Sequence, residues 1–340
     1  MVKKNNIIFN NKNEDYKTYM EIVISHLQIQ DISFTKNDTL IIIDMQRDFI
    51  PNTHENGSIS TFGVANSDII IPEISKLTTR FLSRDNGYVI ASRDYHPANH
   101  VSFLENKGPF PSHCVQGTPG SEIVPMISRA LLTSGKNKPK EKHKHVEIVF
   151  KGFDTNTDSF SAVKYADNNS SNKIQQKNRG VCKHAHFCSI HSGSFNIPVS
   201  GHKVIDQTKL FGPGGHMSGT GNINAPPDIV FTRSKKQMEE SRLENMKFIK
   251  KSKHIFIVGV ALDFCVIDTA INLTQKIGKK VYIILDMCRP AFIHGDGYLT
   301  PPLQLVQMLK KYNIKIIKMS NIKKLPPLKQ KYMSFYQKYK

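Results

Sequence analysis

Residues 255–270 read Ile-Phe-Ile-Val-Gly-Val-Ala-Leu-Asp-Phe-Cys-Val-Ile-Asp-Thr-Ala, an apolar run that changes into a helical pattern around Cys265. The β-branched stretch 255–260 predicts a buried strand, and residues 266–273 have the spacing of a helix. A thiol at this junction lies near the unpaired N–H groups and the positive dipole end of a helix, which favour the thiolate. We therefore predict that Cys265 is a nucleophile. The alternative is a small apolar side chain that fills the core.

Two further predicted strands end in charged residues. Residues 40–43 run into Asp44, and residues 146–150 run into Lys151. Open α/β sheets hold their ligands at the carboxyl ends of the strands. There Asp44 could exchange a proton with Cys265, and the Lys151 ammonium could lower the pKa of the thiol and stabilise negative charge. The alternatives are that Asp44 caps a turn and that Lys151 is merely exposed.

A carboxylate and several imidazoles follow another predicted strand, at 88–92. Asp94 and His96 are two residues apart, so their side chains share one face of extended chain. His113 lies in a Pro/Gly-rich loop that could fold back over them. One carboxylate and two imidazoles suit zinc, iron or manganese and leave positions for water or substrate. His100 is a further candidate, either as a ligand or as a hydrogen-bond partner of one.

Five motifs, which occur in one order along the chain, point to a known family. The chain resembles the isochorismatase-like cysteine hydrolases, and within them the nicotinamidases. The motifs are Asp-Met-Gln-Arg-Asp-Phe (44–49), Asp-Tyr-His-Pro-Ala-Asn-His-Val-Ser-Phe (94–103), His-Cys-Val-Gln-Gly-Thr-Pro-Gly (113–120), Lys-Gly-Phe-Asp (151–154) and Gly-Val-Ala-Leu-Asp-Phe-Cys-Val (259–266). Together they anchor most of 39–163 and 254–318.

The resemblance implies catalytic roles for the matching residues. Cys265 would attack the carboxamide carbon of nicotinamide, Asp44 would be the general base and acid, and Lys151 would orient and stabilise that pair. The bond between Val260 and Ala261 matches one that is cis in the family. The backbone N–H groups of Ala261 and Cys265 would then form an oxyanion hole.

The resemblance also implies a metal ion and an aromatic pocket. The ion would be zinc first, with iron or manganese as alternatives. Its ligands would be Asp94, His96 and His113. His100 is a ligand in some relatives and not in others. The pyridine nitrogen of the substrate would approach the ion, and Phe49 and Phe110 match positions that flank the ring, with Phe110 standing where relatives often carry Trp.

Strands alternate with helices along the chain, which predicts a doubly wound α/β fold. We expect a mostly parallel six-stranded sheet flanked by helices, of the isochorismatase-like type, with a long polar insertion. The predicted strands are near 40–43, 88–92, 146–150, 255–260, 281–285 and 313–317. The predicted helices are near 66–84, 122–132, 237–251, 264–278 and 302–312. An N-terminal extension over 1–36, with a short helix at 16–30, would precede a single hydrolase domain over 37–340. The insertion would lie at about 166–234, and a basic tail would begin at about 322.

Composition favours a soluble protein of a reducing compartment. Apolar residues make up 39% of the chain, and no apolar run approaches the ~20 residues of a membrane-spanning helix. Residues 1–13 lack the apolar core of a signal peptide, and five cysteines do not suggest a disulfide framework. We therefore predict a cytoplasmic or nuclear protein without a membrane partner. A homo-oligomer is left open.

The net charge of +19 raises the alternative of a nucleic-acid-binding protein. Aromatic residues do not interleave with the lysine clusters in a recognisable motif, so we predict no nucleic-acid partner. Cys182, His184, His186 and Cys188 in the insertion could form a second zinc site, although their spacing matches no common zinc module. A zinc-dependent interaction protein is thus the alternative from another class.

The motifs together predict a nicotinamidase, which hydrolyses nicotinamide to nicotinate and ammonia through a cysteine thioester in NAD salvage. Covalent catalysis suits this reaction because an amide is a poor electrophile with a poor leaving group. The nearest alternative is another amidase of the same superfamily that acts on carbamoyl or ureido substrates.

Overall fold

The structure is a computed structural model that describes residues 12–51, 60–83, 87–132, 146–152, 158, 160–163, 249–293 and 300–328. The insertion predicted at 166–234, with its Cys182–Cys188 cluster, lies outside the described residues. So do most of the helix predicted at 237–251 and the tail beyond 328.

Six parallel strands form the central sheet. The strands within the described residues are β1 (Ile32–Ser33), β2 (Thr39–Ile43), β3 (Tyr88–Asp94), β4 (Val146–Lys151), β5 (Ile255–Val260), β6 (Val281–Arg289), β7 (Lys315–Ile317) and β8 (Ile322–Lys323). The order in the sheet is β4-β3-β2-β5-β6-β7, and every pairing is parallel. Along the chain, β2, β3 and β4 follow one another toward one edge of the sheet. The chain then returns to the centre, and β5, β6 and β7 follow one another toward the other edge. The predicted doubly wound fold is therefore confirmed, and its direction reverses between β2 and β5, where such sheets bind ligands.

The central strands are buried along their whole length, which explains why they are continuous apolar runs. β2 and β5 approach closely at Gly259, which pairs with Ile43 and has a φ of 115°. A Cβ atom at Gly259 would lie 2.1 Å from the carbonyl oxygen of Ile43. Only glycine fits this position, because it lacks that atom and tolerates the positive φ.

Helices cover the sheet: α1 (Lys12–Ser25), α2 (Ile71–Leu82), α3 (Pro125–Leu132), α4 (Ile267–Ile277) and α5 (Pro302–Lys311). A π-helical turn, Leu262–Val266, separates β5 from α4 and carries the cysteine of the quoted segment. α4 ends at Gly278 in the left-handed conformation, with φ 64°. No helix in the described ranges is long and apolar enough to cross a membrane.

Several elements differ in length from their predictions, and α2, for example, begins at Ile71 rather than near residue 66. α1 ends at Ser25 rather than near residue 30, because the side chains of Ser25 and His26 both bond the carbonyl of Ile22. β6 continues to Arg289 instead of stopping at residue 285. The exposed Asp286 interrupts its apolar run, but the carboxylate of Asp286 accepts the N–H of Met319 and the strand continues past it.

Candidate active site

Three of the side chains predicted to be catalytic meet at the carboxyl edge of the sheet. Asp44 follows β2, Lys151 ends β4, and Cys265 lies in the π-helical turn after β5. The Lys151 ammonium contacts Asp44 Oδ2 at 2.7 Å and donates to Cys265 Sγ at 3.3 Å. One ligand atom each of Asp44 and Cys265 also lies within 4.8 Å of the other. Lys151 thus contacts both groups, and the thiol and the carboxyl lie close together beside it.

The backbone of Asp44 is in the left-handed region, with a φ of 46°. Non-glycine residues adopt this conformation rarely and mostly where surrounding contacts enforce it. One such contact is Ser92 on β3: its Oγ accepts the N–H of Asp44 at 3.1 Å and donates to Asp44 Oδ1 at 2.6 Å. Asp44 therefore occupies one fixed position, with Oδ1 toward Ser92 and Oδ2 toward Lys151.

The protonation states of this group follow from its burial. Burial raises the pKa of Asp44 to about 6, against the opposing effect of the Lys151 ammonium. Burial also raises the pKa of the Cys265 thiol well above its usual value, and Lys151 offsets only part of that increase. The expectation of a preformed thiolate is therefore wrong, because loss of solvent outweighs the helix start and the ammonium. At neutral pH a protonated thiol faces a largely ionised carboxylate.

The predicted metal ligands also come together. One ligand atom each of Asp94, His96 and His113 lies within 4.8 Å of the other two, and all three residues are buried. The loop that carries His113 is hydrogen-bonded alongside the end of β3: the N–H of His96 donates to Cys114 at 3.0 Å, and that of Gln116 donates to His96 at 2.8 Å. This pairing brings His113 back over Asp94 and His96.

The hydrogen bonds of the two imidazoles prepare them for a cation. Nδ1–H of His96 donates to the carbonyl of Gly152 and Nδ1–H of His113 to that of Pro111, both at 2.7 Å. When a ring is neutral, its Nε2 is then the unprotonated nitrogen, which is the form that binds a metal. Against the opposing effect of burial, the Asp94 carboxylate raises the pKa of His96, so a cation would displace a proton from this ring. Burial and the neighbouring His96 lower the pKa of His113 to about 4, so this imidazole is neutral at pH 7. The residues therefore fit a divalent ion.

Glycine is required at position 152, where the chain packs against the His96 ring. Gly152 has a φ of 61°, and a Cβ atom there would lie 2.3 Å from Cε1 of His96. A larger residue would push the imidazole away from the other ligands.

Asp94 connects the proton-transfer group, which consists of Asp44, Lys151 and Cys265, to the candidate metal ligands. Its Oδ1 accepts a hydrogen bond from Lys151, and its Oδ2 lies 3.6 Å from Nε2 of His96. The pairing of Asp94 with Lys151 across β3 and β4 accounts for this contact. Burial alone would raise the pKa of Asp94, but the Lys151 ammonium and the imidazoles outweigh it and lower the pKa. Asp94 is therefore an anion that both halves of the site share.

His100 groups with His96 and with Asp158, a residue that our sequence analysis did not single out. Ligand atoms of these three buried residues lie within 4.8 Å of one another. The ring centroids of His96 and His100 are 4.2 Å apart, and the N–H of Ser102 donates to Nδ1 of His100 at 3.3 Å. Asp158 lies in a polar stretch of sequence without periodicity, so no pattern distinguished it from a loop residue.

Several aromatic rings lie around His113. Phe49 and Phe110, both named from the sequence, lie 5.3 and 6.2 Å from the His113 ring between centroids. Phe62, which we did not predict, stacks on His113 at 5.0 Å and 30°. Phe264 lies 6.1 Å from Phe110, and it could have been nominated because it directly precedes Cys265 in the quoted motif.

The turn that carries the cysteine has the backbone expected of it. The peptide bond between Val260 and Ala261 is cis. The carbonyl of Ala261 accepts the N–H groups of Phe264 and Val266, each at 3.1 Å, which closes the π-helical turn around Cys265. The oxyanion-binding role of the Ala261 and Cys265 N–H groups stays a prediction.

Comparison with known proteins identifies a domain and several relatives. Residues 38–135 match the isochorismatase domain. A nicotinamidase of Acinetobacter baylyi is 27% identical over 278 residues, which cover 76% of this chain and 85% of that protein. A nicotinamidase of Saccharomyces cerevisiae is 25% identical over 303 residues, which cover 82% of this chain and 98% of that protein. Asp44, Asp94, His96 and His113 lie within the matched domain, whereas Lys151 and Cys265 lie beyond its end.

Solved structures also resemble the chain. The L. infantum protein PnC1 in complex with nicotinate has a TM-score of 0.49 and 19% identity, and the match covers 86% of this chain and 98% of that one. The structure of the yeast nicotinamidase has a TM-score of 0.48 and 23% identity, with coverage of 82% and 99%.

Proposed function

We propose that this chain, whose residues 38–135 match the isochorismatase domain, is a nicotinamidase, which converts nicotinamide and water to nicotinate and ammonia. The observation that carries the proposal is the contact of Cys265, Asp44 and Lys151 directly beside the Asp94, His96 and His113 cluster. An amidase needs a nucleophile, a proton carrier and a charge stabiliser within reach of one carbon atom, and these residues supply that set. The two relatives named nicotinamidase, matched over most of their length, support the choice of substrate.

The proposed reaction begins with the neutral thiol. Asp44 takes the proton of Cys265 as Sγ bonds to the carboxamide carbon, and the backbone N–H groups of Ala261 and Cys265 stabilise the oxyanion. The C–N bond then breaks, and the leaving nitrogen takes the proton from Asp44 and departs as ammonia. A water molecule, deprotonated by Asp44, attacks the thioester and releases nicotinate with the thiol restored. Lys151 keeps Asp44 oriented and balances its charge throughout.

Asp94, His96 and His113 would hold a divalent ion, which we propose is zinc, with iron or manganese as alternatives. When bound, the ion would offer a coordination position to the ring nitrogen of the substrate and so fix the orientation of the carboxamide. Phe49 and Phe110 would pack against the faces of the ring, since both side chains are buried beside His113.

The same aromatic residues favour an aromatic heterocycle over a carbamoyl or ureido substrate.

Our proposal includes a place in NAD salvage, a cytoplasmic or nuclear location and no nucleic-acid partner. The resemblance motivates the first of these, and the composition motivates the other two. Assembly into a homo-oligomer is compatible with it.

Ammonia release from a panel of amides tests the function. We expect hydrolysis of nicotinamide to be fastest, and benzamide, which has the same shape without the ring nitrogen, to react far more slowly. N-carbamoyl amino acids should release no ammonia, because they offer neither a planar ring nor a ring nitrogen. Preference for the carbamoyl compounds would instead identify the protein as an amidase of the alternative class.

The metal site leads to a prediction that elemental analysis can check. Purified protein should carry about one divalent ion per chain, because three protein ligands with the correct tautomers form one site. His96→Ala and His113→Ala should each lose this ion, since two ligands do not hold it. The matched control is His26→Ala, which removes an exposed histidine at the end of α1 and should leave the metal content unchanged. Full metal content in both ligand variants would contradict the assignment.

The raised pKa of Asp44 predicts the pH dependence of kcat/KM. The carboxyl must be ionised to accept the proton of Cys265. Burial, with a smaller contribution from Asp94, raises its pKa to about 6 against the opposing effects of Lys151 and Ser92. The rate should therefore rise about tenfold per pH unit up to pH 6 and level off above it. A pH profile of kcat/KM for nicotinamide measures this limb. A limb centred near pH 4, the range of an ordinary carboxyl, would show that burial does not tune Asp44.

A further inference from the structure

A buried hydroxyl contacts the proposed general base at two atoms. Ser92 lies near the end of β3 and is 1% exposed. The pairing of Ile42 with Ala91 sets the carboxyl ends of β2 and β3 side by side, so Ser92 faces Asp44. The N–H of Asp44 donates to Oγ of Ser92 at 3.1 Å, and this hydroxyl donates to Oδ1 of Asp44 at 2.6 Å. Because the hydroxyl oxygen accepts the N–H of Asp44, its own proton is directed at the Asp44 carboxylate.

We propose that Ser92 is a positioning residue of this site, which holds the Asp44 carboxylate in the orientation that accepts the proton of Cys265. The inference rests on the proposed function and deepens it. Because Oδ1 is engaged by Ser92, the other oxygen, Oδ2, is the one that faces Lys151 at 2.7 Å. The same carboxyl lies beside the thiol, with the Cys265 sulfur within 4.8 Å of an Asp44 oxygen. Ser92 thus acts on the nucleophile through Asp44.

The geometry of Asp44 shows why a second anchor is needed. Rotation of a carboxylate about its terminal bond has only broad, two-fold preferences, so the side chain does not fix its own orientation. The left-handed backbone, with φ 46°, also has to be held in place. Without the hydroxyl, Oδ1 would be a buried acceptor lacking its donor, and the carboxylate would gain by turning both oxygens toward the Lys151 ammonium. The thiol would then lose its proton acceptor.

Two measurements separate positioning from a merely structural hydrogen bond. The first is steady-state hydrolysis of nicotinamide, which gives kcat and KM. The second is the rate at which iodoacetamide alkylates Cys265, followed by peptide mass spectrometry. In that reaction the Sγ–carbon bond forms, iodide leaves and the thiol proton passes to Asp44, so no amide substrate is involved. The variants are Ser92→Ala, which removes the hydroxyl, and Ser92→Thr, which keeps it on a side chain suited to a strand. The matched control is Ser75→Ala, which removes a buried hydroxyl that donates to the carbonyl of Met126.

We expect Ser92→Ala to lower kcat by about 10- to 100-fold with KM nearly unchanged, within the contribution of general-base catalysis. Alkylation of Cys265 should slow in parallel. Ser92→Thr should restore both rates to near wild type, and Ser75→Ala should leave both unchanged. Wild-type rates in Ser92→Ala, or equal losses in Ser92→Ala and Ser92→Thr, would overturn the proposal. If the wild-type protein does not hydrolyse nicotinamide, the proposed function fails, while the alkylation rates still decide the role of Ser92.

Discussion

Replacing Cys265 with alanine is expected to abolish ammonia release from nicotinamide, with a loss of about 10⁴-fold or more in kcat. The variant lacks the sulfur that attacks the carboxamide, and neither Asp44 nor Lys151 can replace it as a nucleophile. The fold should persist, because the substitution removes one buried atom from a turn whose backbone bonds are intact. Ammonia release and thermal unfolding of the same preparation measure the two effects separately.

Cys288→Ala is the matched control for this variant. Cys288 is also buried and free, and its Sγ lies 4.0 Å from the carbonyl of Ile257, within the sheet and outside the proposed proton-transfer group. This change removes the same atom, so it should cost stability to a similar extent and leave the rate close to that of wild type. Retention of most activity in Cys265→Ala would remove the cysteine mechanism from consideration.

Lys151→Met is expected to cost both activity and stability. The ammonium is completely buried between the carboxylates of Asp44 and Asp94. Methionine keeps an unbranched side chain, one atom shorter, and removes the charge. Two buried anions would then face each other without a cation. Removing one partner from a buried ion pair destabilises proteins by about 3–5 kcal/mol. We expect kcat to fall at least about 100-fold, because Asp44 would be protonated or displaced.

The loss of stability should depend on pH in a defined direction. Without Lys151, the pKa values of the two carboxyls in the folded state would rise above those of the unfolded chain, since burial and mutual repulsion disfavour their charges. The folded state then binds more protons, so its stability decreases as pH rises from about 4 toward neutrality. The measurement is the difference in unfolding temperature between Lys151→Met and wild type at the same pH. This difference should be smaller at pH 5 than at pH 7, because the variant is relatively more stable at the lower pH.

Two comparison variants test whether repulsion between the buried carboxylates causes the loss of stability in Lys151→Met. Lys76→Met removes a partly exposed lysine paired with Glu73 and should change stability little, because surface ion pairs contribute about 0–1 kcal/mol. Asp44→Asn combined with Lys151→Met removes one anion as well as the ammonium. The double variant should recover part of the stability and none of the activity. Equal stability of the single and double variants would contradict charge repulsion as the cause.

Patterns within short segments were sufficient to predict the architecture of the sheet. Continuous apolar runs at 40–43 and 255–260 marked strands that are buried on both faces, and the alternation with helices implied parallel pairing. The same reasoning nominated Asp44, Lys151 and Cys265, because each residue follows a strand and parallel strands end at one edge of the sheet. These inferences work from sequence because they depend on spacing along the chain.

The state of the nucleophile required the folded structure. Cys265 has a helix start and an ammonium beside it, and both favour a thiolate. Burial nevertheless raises the pKa of the thiol well above its usual value. The amount of solvent removed from a side chain depends on everything packed around it, so no local pattern predicts which effect is larger.

Asp158, Phe62 and Ser92 show the same limit for residues that surround the site. Asp158 lies in a polar stretch, Phe62 lies in an irregular segment, and Ser92 looks like an ordinary polar position near the end of a strand. Their importance comes from neighbours 48 to 62 residues away in sequence: Asp158 meets His96 and His100, Phe62 stacks on His113, and Ser92 bonds Asp44. Strand-ending positions could be read from the chain because periodicity is local, whereas these contacts exist only after parallel strands and their loops have brought distant segments to one edge.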